Sequence, residues 1–412
     1  MKTVILGGGL SGLGAAWYLR KKNPNASITL LEKEARLGGW IETKTENGFC
    51  FERGPRTLAR ARSPLLLELI EELGLSSQLL SSCPDANRRF LFKKGSLRSI
   101  RSFWPTLLIG ALREICTSSR AVSLQDESIE AFAKRRFGSK IAHLIFDPMT
   151  LGIYAGDIQK LSIRSCFQKF WEWERTDRSI VLKMITMKKG LSGLVTLQGG
   201  LETLIQELIR QLPIEIVTDC RVDSIGSKIV TSKGTFDADR VISALPAYEI
   251  SRLTDVPLHL PYRSIWVVHL GFLQRHLKQK GFGYLVPSQE KKNLLGMVWD
   301  SEIFAGEEKT RLTAMLREES THPVQDALDA LRHHLKIDAA PDYVSSHFAL
   351  QAIPQFEIGH EERMIVFERE VKKKFPSLLL AGNYFTGASL EACLERSRYL
   401  VKNAGIFIIP TL

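Results

Sequence analysis

The clearest chemistry in the chain lies in its first 32 residues. Met1-Lys2-Thr3-Val4-Ile5-Leu6 reads as a short buried strand that runs into Gly7-Gly8-Gly9-Leu10-Ser11-Gly12, a G-x-G-x-x-G pattern. A helix is expected over Leu13–Lys21, and Ile28-Thr29-Leu30-Leu31 reads as a second apolar strand ending at Glu32. In that order the glycines have separate tasks. Gly7 permits the tight turn, Gly9 lets a pyrophosphate approach the backbone, and Gly12 lets the helix pack on the strand. A helix N-terminus offers free N–H groups and a positive dipole end to phosphate. Glu32 stands 20 residues past Gly12, where a carboxylate can accept both hydroxyls of an adenosine ribose. A dinucleotide site is the expectation. The competing reading, a glycine-rich turn in an ordinary α/β unit, does not account for the whole series.

A second glycine pair follows at once in Lys33-Glu34-Ala35-Arg36-Leu37-Gly38-Gly39-Trp40, and a nicotinamide dinucleotide does not need it. Near the other end, Leu378–Ala381 reads as strand, Gly382-Asn383 as turn, and Gly387-Ala388-Ser389-Leu390 as a helix start. Together these elements resemble the amine-oxidase-like flavoprotein superfamily, which includes amine oxidases, phytoene desaturases and protoporphyrinogen oxidases. The resemblance implies FAD. It assigns Arg36, Gly39 and Trp40 to a loop over the FAD pyrophosphate and places Lys33 beside Glu32. It sets Gly54, Pro55, Arg56 and Thr57 along the flavin ring. Asn383, Ala388, Ser389 and Leu390 would make the closing contact, where a helix N-terminus would stabilise negative charge on reduced flavin. Val222 falls either where a strand edge touches the adenine or in plain sheet core.

Several strings outside these parts resemble, more narrowly, the oxygen-dependent protoporphyrinogen oxidase family. The most specific are Leu161-Ser162-Ile163-Arg164-Ser165-Cys166-Phe167 and Gly281-Phe282-Gly283-Tyr284-Leu285-Val286-Pro287; Gly199–Glu202, Val241–Pro246 and Ile353–Phe356 add to them. The resemblance implies a six-electron oxidation of a tetrapyrrole porphyrinogen, with O2 reoxidising the flavin and H2O2 released. Arg89, in the basic and aromatic run Asn87–Lys94, would hold a propionate, a pairing that can be bidentate. Read singly, it could equally sit in a solvated basic hairpin. Met149 and Gly152 would face the substrate. The family often has arginine where this chain has Leu151, so a polar contact made there is lost. Such chemistry needs positioning more than an acid–base pair, and neither a catalytic residue nor a metal ligand is assigned. His143, His269, His333, His334 and His360 look isolated, and Asp126, Glu127 and Glu130 are expected on a solvated helix face. Rival readings are coproporphyrinogen III oxidation, a flavin amine oxidase with Tyr384-Phe385 as an aromatic cage, a carotenoid desaturase, and a scaffold without catalysis.

Composition allows two or three domains: 412 residues, 44% hydrophobic, net charge +11. A basic balance suits acidic partners, yet no nucleic-acid module is recognisable. Six scattered cysteines argue for a reducing, cytoplasmic setting. The expected fold class is mixed α/β. A Rossmann-like FAD domain would be assembled from 1–85, 196–255 and 376–412. Residues 86–195 would be helical (Leu97–Thr117, Leu124–Phe137), and 256–375 would form a substrate domain with its own mixed sheet. The stretch Arg98–Arg120, apolar between basic ends, either docks peripherally on an anionic membrane or is an internal helix. No stretch reaches the roughly 20 apolar residues that span a bilayer. Dimers are known in the family.

Overall fold

A computed structural model describes residues 1–117, 125–177, 179–187, 193–385, 387 and 389–403. Its first sheet is parallel, with strand order Glu215–Val217, Ser27–Leu31, Lys2–Leu6, Arg240–Ser243, Leu378–Leu380. Central parallel strands are covered on both faces and so are mostly apolar. Ile5, Ile28, Leu30 and Ile242 enter one core with the helices Leu10–Lys22, Glu202–Gln211 and Leu390–Asn403. Val4, Leu6 and Val241 enter a second core with Ala247–Thr254 and His360–Lys374. The sheet therefore draws its strands from distant stretches of chain, as expected. Gly14 marks where Leu10–Lys22 crosses Leu390–Asn403: a Cβ there would stand 2.6 Å from Leu394 Cδ2.

A seven-stranded mixed sheet runs Tyr343–Pro354, Tyr262–Phe272, Thr310–Arg317, Leu294–Val298, Gly283–Leu285, Arg89–Lys93, Ser96–Ser99. Its last two strands precede the helical stretch in sequence, so residues 89–99 share a sheet with 262–354. The helix expected from Leu97 starts instead at Trp104, with Pro105 in its first turn. Lys94 and Gly95 both have positive φ (52° and 73°) and close a hairpin that pairs Phe92 with Leu97. Two-residue turns of that kind suit the strand twist. The helix expected from Leu124 runs Ile129–Phe137, capped by Ser128 Oγ accepting from Ala131 N; Leu124 itself lies outside the described residues.

The helices Trp104–Cys116, Ile129–Phe137, Gln168–Thr176 and Ile180–Thr186 meet around a buried charge network. Glu114 and Arg136 are both 0% exposed and paired. Glu114 also accepts from Ser179 Oγ, Ile180 N (3.0 Å) and Val181 N (3.2 Å). Arg135 joins Glu174 and Glu127 beside it.

Two of the resemblance strings are joints. Ser162 caps its helix, donates to Asp126 Oδ1 (2.7 Å) and takes its backbone partner from Phe356 O (2.8 Å). Asp126 Oδ2 accepts from Gly359 N (2.9 Å), and Arg164 pairs with Glu361 and Glu362. Asp126, Glu127 and Glu130 thus belong to partly buried joints rather than to a solvated face. In the other string Gly283 (φ 138°) sits so close to the next strand that a Cβ would stand 2.2 Å from Met297 O.

Candidate functional site: a dinucleotide cradle

Strand Lys2–Leu6 ends in the glycine turn because nothing larger fits. Gly7 has φ 96°, and its N–H donates to Leu31 O (2.8 Å). A Cβ on Gly12 would lie 2.0 Å from Gly7 O, and one on Gly8 2.2 Å from Leu37 Cδ2. Gly9 differs: its Cβ would meet only Gly39 Cα, at 3.7 Å, so the space above it is open. The following helix starts at Leu10 with Gly9 as cap, no side-chain capping bond and no acid in its first turn. Leu10 and Ser11 bury their side chains and can offer only backbone N–H groups. These features fit a diphosphate.

The second glycine pair closes against the first. Gly38 N donates to Gly8 O (2.9 Å), and Gly39 (φ 57°) approaches Gly9. Arg36 builds this loop from inside. Its guanidinium donates to Leu37 O (2.9 Å), Ile41 O (3.0 Å) and Gly39 O and lies 3.4 Å from Glu42, so it is committed to protein groups. Glu32 Oε2 accepts from Gly8 N (2.6 Å) and Oε1 from Glu34 N (3.0 Å), which stands the carboxylate against the turn. Cys220 N donates to Glu32 O (2.8 Å), bringing the strand that begins at Val222 beside the acid. Val222 itself is 7% exposed, within the core. Lys33 is exposed and paired with Glu34, and Trp40 is exposed.

The segment 51–57 continues from this loop. A Cβ on Gly54 would stand 1.9 Å from Trp40 O, so only glycine allows the two stretches to touch. Pro55 and Thr57 are half-buried. The Arg56 side chain is 8% exposed and paired with Asp300 (3.0 Å). Glu52 accepts from Leu201 N (2.7 Å) and Thr43 Oγ1 (2.9 Å), and burial lifts its carboxyl to about 7. Its neighbour Gly200 has no room for a side chain, which explains the Gly199–Glu202 string. At the C-terminal side Ser389 Oγ accepts from Ala392 N (3.1 Å) at the start of helix Leu390–Asn403, and Asn383 is half-buried; Ala388 lies outside the described residues. Tyr384 is 0% exposed, packed with Phe367 and Leu380, and its carbonyl accepts from His360 Nε2 (2.8 Å). It is a core residue and forms no open cage.

Across the molecule Arg89 leads the strand that pairs with Gly283–Leu285. Its guanidinium donates to Ala86 O and lies 4.2 Å from the centre of the Phe282 ring. Among the described residues no carboxylate pairs with it, and partial burial works against its charge. Gly152 meets the same strand: a Cβ would stand 2.6 Å from Leu285 Cδ2. Leu151 is buried and Met149 half-buried. Asp147, 4% exposed, opens this helix and accepts from Ser288 N (2.8 Å), fixing it to the end of the G-F-G-x-L-V-P string. Strand Gly283–Leu285 therefore meets both the strand led by Arg89 and the helix that carries Gly152.

Sequence reasoning missed Phe282 as the platform under Arg89. It also missed the buried set Asp300, Thr313 and His269 behind Arg56, of which His269 was read as isolated. Asp300 stands 244 positions from Arg56, and no local pattern announces such a pair.

The family profile described as flavin containing amine oxidoreductase matches residues 10–399. Human protoporphyrinogen oxidase is 31% identical, with 96% of each chain covered. Coproporphyrinogen III oxidase of Bacillus subtilis is 25% identical, with 97% of each covered. A crystal structure from Exiguobacterium sp. 255-15, of a protein assigned as a protoporphyrinogen oxidase, superposes with a TM-score of 0.87 at 25% identity, covering 98% of both chains. A profile that spans nearly the whole chain, joined to a relative of that identity and coverage, shows that the chain belongs to the flavin-containing amine oxidoreductase family.

Proposed function

We propose that this chain is an FAD-dependent porphyrinogen oxidase of heme biosynthesis that converts protoporphyrinogen IX to protoporphyrin IX. Bound FAD supplies a two-electron acceptor, and three cycles with three O2 account for the six electrons and for three H2O2. The chain's own residues bind and orient. Backbone N–H groups at Gly9–Gly12 hold the diphosphate, Glu32 takes the ribose, and the loops at Gly38–Gly39 and Gly54–Thr57 line the rest. Oxidation of a bridge carbon demands a fixed distance to the flavin rather than a strong base.

Besides the family relationship, one observation carries the substrate reading. Arg89 presents a half-buried guanidinium, stacked on Phe282, with no acid to neutralise it among the described residues. A propionate would complete that site. Arg89→Ala should raise KM with a smaller change in kcat. Losing a charge-assisted hydrogen bond costs about 1.5–3 kcal/mol, roughly ten- to a hundredfold in kcat/KM. Arg89→Lys should recover part of it. Steady-state kinetics check this, and an unchanged KM in the alanine variant would remove Arg89 from the site.

A peripheral membrane contact is part of the same proposal. Helix Trp104–Cys116 turns Glu114 and Gly110 inward and leaves Trp104, Leu108, Ile109 and Leu112 at 50–67% exposure. The adjoining helix Ile180–Thr186 exposes Met184 and Ile185. Arg98 and Arg101 flank the patch. Apolar surface rimmed by cations suits an anionic bilayer. No helix among the described residues is long and apolar enough to cross one. Co-sedimentation with phosphatidylglycerol vesicles should fall several-fold in Leu108→Glu/Ile109→Glu while activity on dispersed substrate persists.

A further inference from the structure

The helix Glu202–Gln211 begins without a cap of its own: Leu201 stands at the capping position and has no side-chain acceptor. A hairpin far earlier in the chain, Thr43–Glu46 paired with Phe49–Glu52, meets its first N–H groups. Leu201 N donates to Glu52 Oε1 (2.7 Å) and Glu202 N to Thr43 Oγ1 (3.1 Å). The helix answers in turn. Thr43 N donates to Glu202 Oε2 (2.9 Å), and Thr43 Oγ1 donates to Glu52 Oε2 (2.9 Å). This is the reciprocal pattern of a capping box, split between two distant segments. Gly200, with φ 97°, lets them close, since a Cβ there would stand 2.3 Å from Thr43 Cγ2.

The clasped elements flank the loop that carries the second glycine pair. A Cβ on Gly38 would lie 3.3 Å from Ile205 Cγ2, so the helix lies against this loop. Gly38 N in turn donates to Gly8 O in the glycine turn (2.9 Å). Ile41, Leu204 and Ile205 share one core with Leu10 and Leu13, on the helix that follows that turn. From the hairpin's other strand, Arg53 N donates to Glu42 O (2.9 Å) and Arg53 Nη1 to Glu42 Oε1 (2.8 Å). The hairpin thus pins the base of the loop, and the helix N-terminus pins the hairpin.

We propose that Thr43 and Glu52 are positioning residues which, with Glu202, latch the Gly38–Trp40 loop shut on the phosphate cradle and so slow release of the cofactor. This rests on the FAD reading above. Thr43 Oγ1 accepts from Glu202 N, and its own hydrogen goes to Glu52 Oε2 while the carboxylate is ionised. Protonated on Oε2, Glu52 donates to Thr43 Oγ1 instead, and the latch stays whole without a buried charge. The charged groups facing Glu52 are Arg56 on its own segment, Asp300 from the turn Asp300–Glu302, and Glu202 across Thr43. Burial outweighs them and lifts the carboxyl to about 7. An acid so raised favours the closed latch while protonated. That advantage is complete below its ordinary value of 4.5 and is lost as pH rises to about 7.

The test is the rate at which purified holoenzyme releases FAD, read from the rise in flavin fluorescence on dilution. Thr43→Val removes the hydroxyl that joins Glu202 to Glu52 and should speed release roughly ten-fold. Thr43→Ser should restore the wild-type rate. Glu52→Gln keeps both bonds, because its amide oxygen accepts from Leu201 N and its amide nitrogen donates to Thr43 Oγ1. Wild type should release FAD several-fold faster at about pH 8 than at about pH 5, and Glu52→Gln should lose that dependence. A wild-type release rate in Thr43→Val, or the same pH dependence in Glu52→Gln as in wild type, would overturn the proposal while leaving the FAD reading intact. The glutamine variant decides the matter if Thr43→Val does not fold. A wild-type chain that cannot bind FAD would overturn the reading and this proposal with it.

Discussion

Gly12→Ala should yield a protein that neither retains flavin nor folds to wild-type stability, whereas Gly9→Ala should fold normally and lose only the flavin. At Gly12 the added carbon would lie 2.0 Å from Gly7 O and 3.3 Å from Ile5 Cγ2. Neither can retreat cheaply. Gly7 is tied by its N–H to Leu31 O, and Ile5 is fully buried in the central strand. The helix must lift, which displaces the N–H groups that meet phosphate. Overpacking costs typically about 1–3 kcal/mol and occasionally more, and a backbone obstacle places this site at the upper end. Gly9 has φ −74°, a conformation alanine adopts freely, and its Cβ would meet protein only at 3.7 Å. The obstruction there falls on the ligand, and the same range of cost implies roughly a ten- to hundredfold weaker flavin affinity. Thermal unfolding and flavin titration of both variants separate the two effects. Equal flavin affinity in Gly9→Ala and wild type would mean that no diphosphate lies above that residue.

Arg136→Ala should be the most destabilising single change in the helical region, by about 3–5 kcal/mol, because it strands a fully buried carboxylate. Glu114 receives Arg136, Ser179 and two backbone N–H groups, and so holds three helices to one point. Replacing the pair with two leucines should not rescue stability, unlike the usual outcome for a buried ion pair. The backbone donors of Ile180 and Val181 and the Ser179 hydroxyl would then be left unpaired. Ser179→Ala removes one bond only and should cost about 1 kcal/mol. Urea midpoints for the series test the order. A double-leucine variant as stable as wild type would show that the helices need neither the ion pair nor the carboxylate's backbone bonds.

The molecule as a whole shows what sequence can and cannot convey. Gly7–Gly12 and Glu32 are legible because the constraint is local: strand, turn, helix and acid follow within 32 residues, with Gly7 held by its positive φ, Gly12 by Gly7 O, and Gly9 leaving open space above the turn. The discontinuous parallel sheet was also legible, since apolar strands and the C-terminal helix start carry their own patterns. The hairpin at Lys94-Gly95 was legible only in part: a basic hairpin is one of the two readings of Asn87–Lys94, but its second strand, Ser96–Ser99, falls where a helix is expected to start at Leu97. Arg36 was read by residue type as a phosphate partner, yet in the folded loop its donors are taken up by carbonyls one to five positions away. The set Arg56, Asp300, Thr313 and His269 was beyond reach because strand packing alone brings it together. The joints at Ser162 and Gly283 carry a further lesson: strings that mark a family narrowly can record how its parts are fastened rather than where its chemistry occurs.

The central claim is tested most directly by purifying the chain with FAD and following porphyrin fluorescence in air after adding protoporphyrinogen IX, with coproporphyrinogen III in a parallel reaction. The account predicts a yellow protein that oxidises protoporphyrinogen IX with the higher kcat/KM and releases three H2O2 per porphyrin. A clear preference for coproporphyrinogen III, or bound FAD with neither activity, would contradict it.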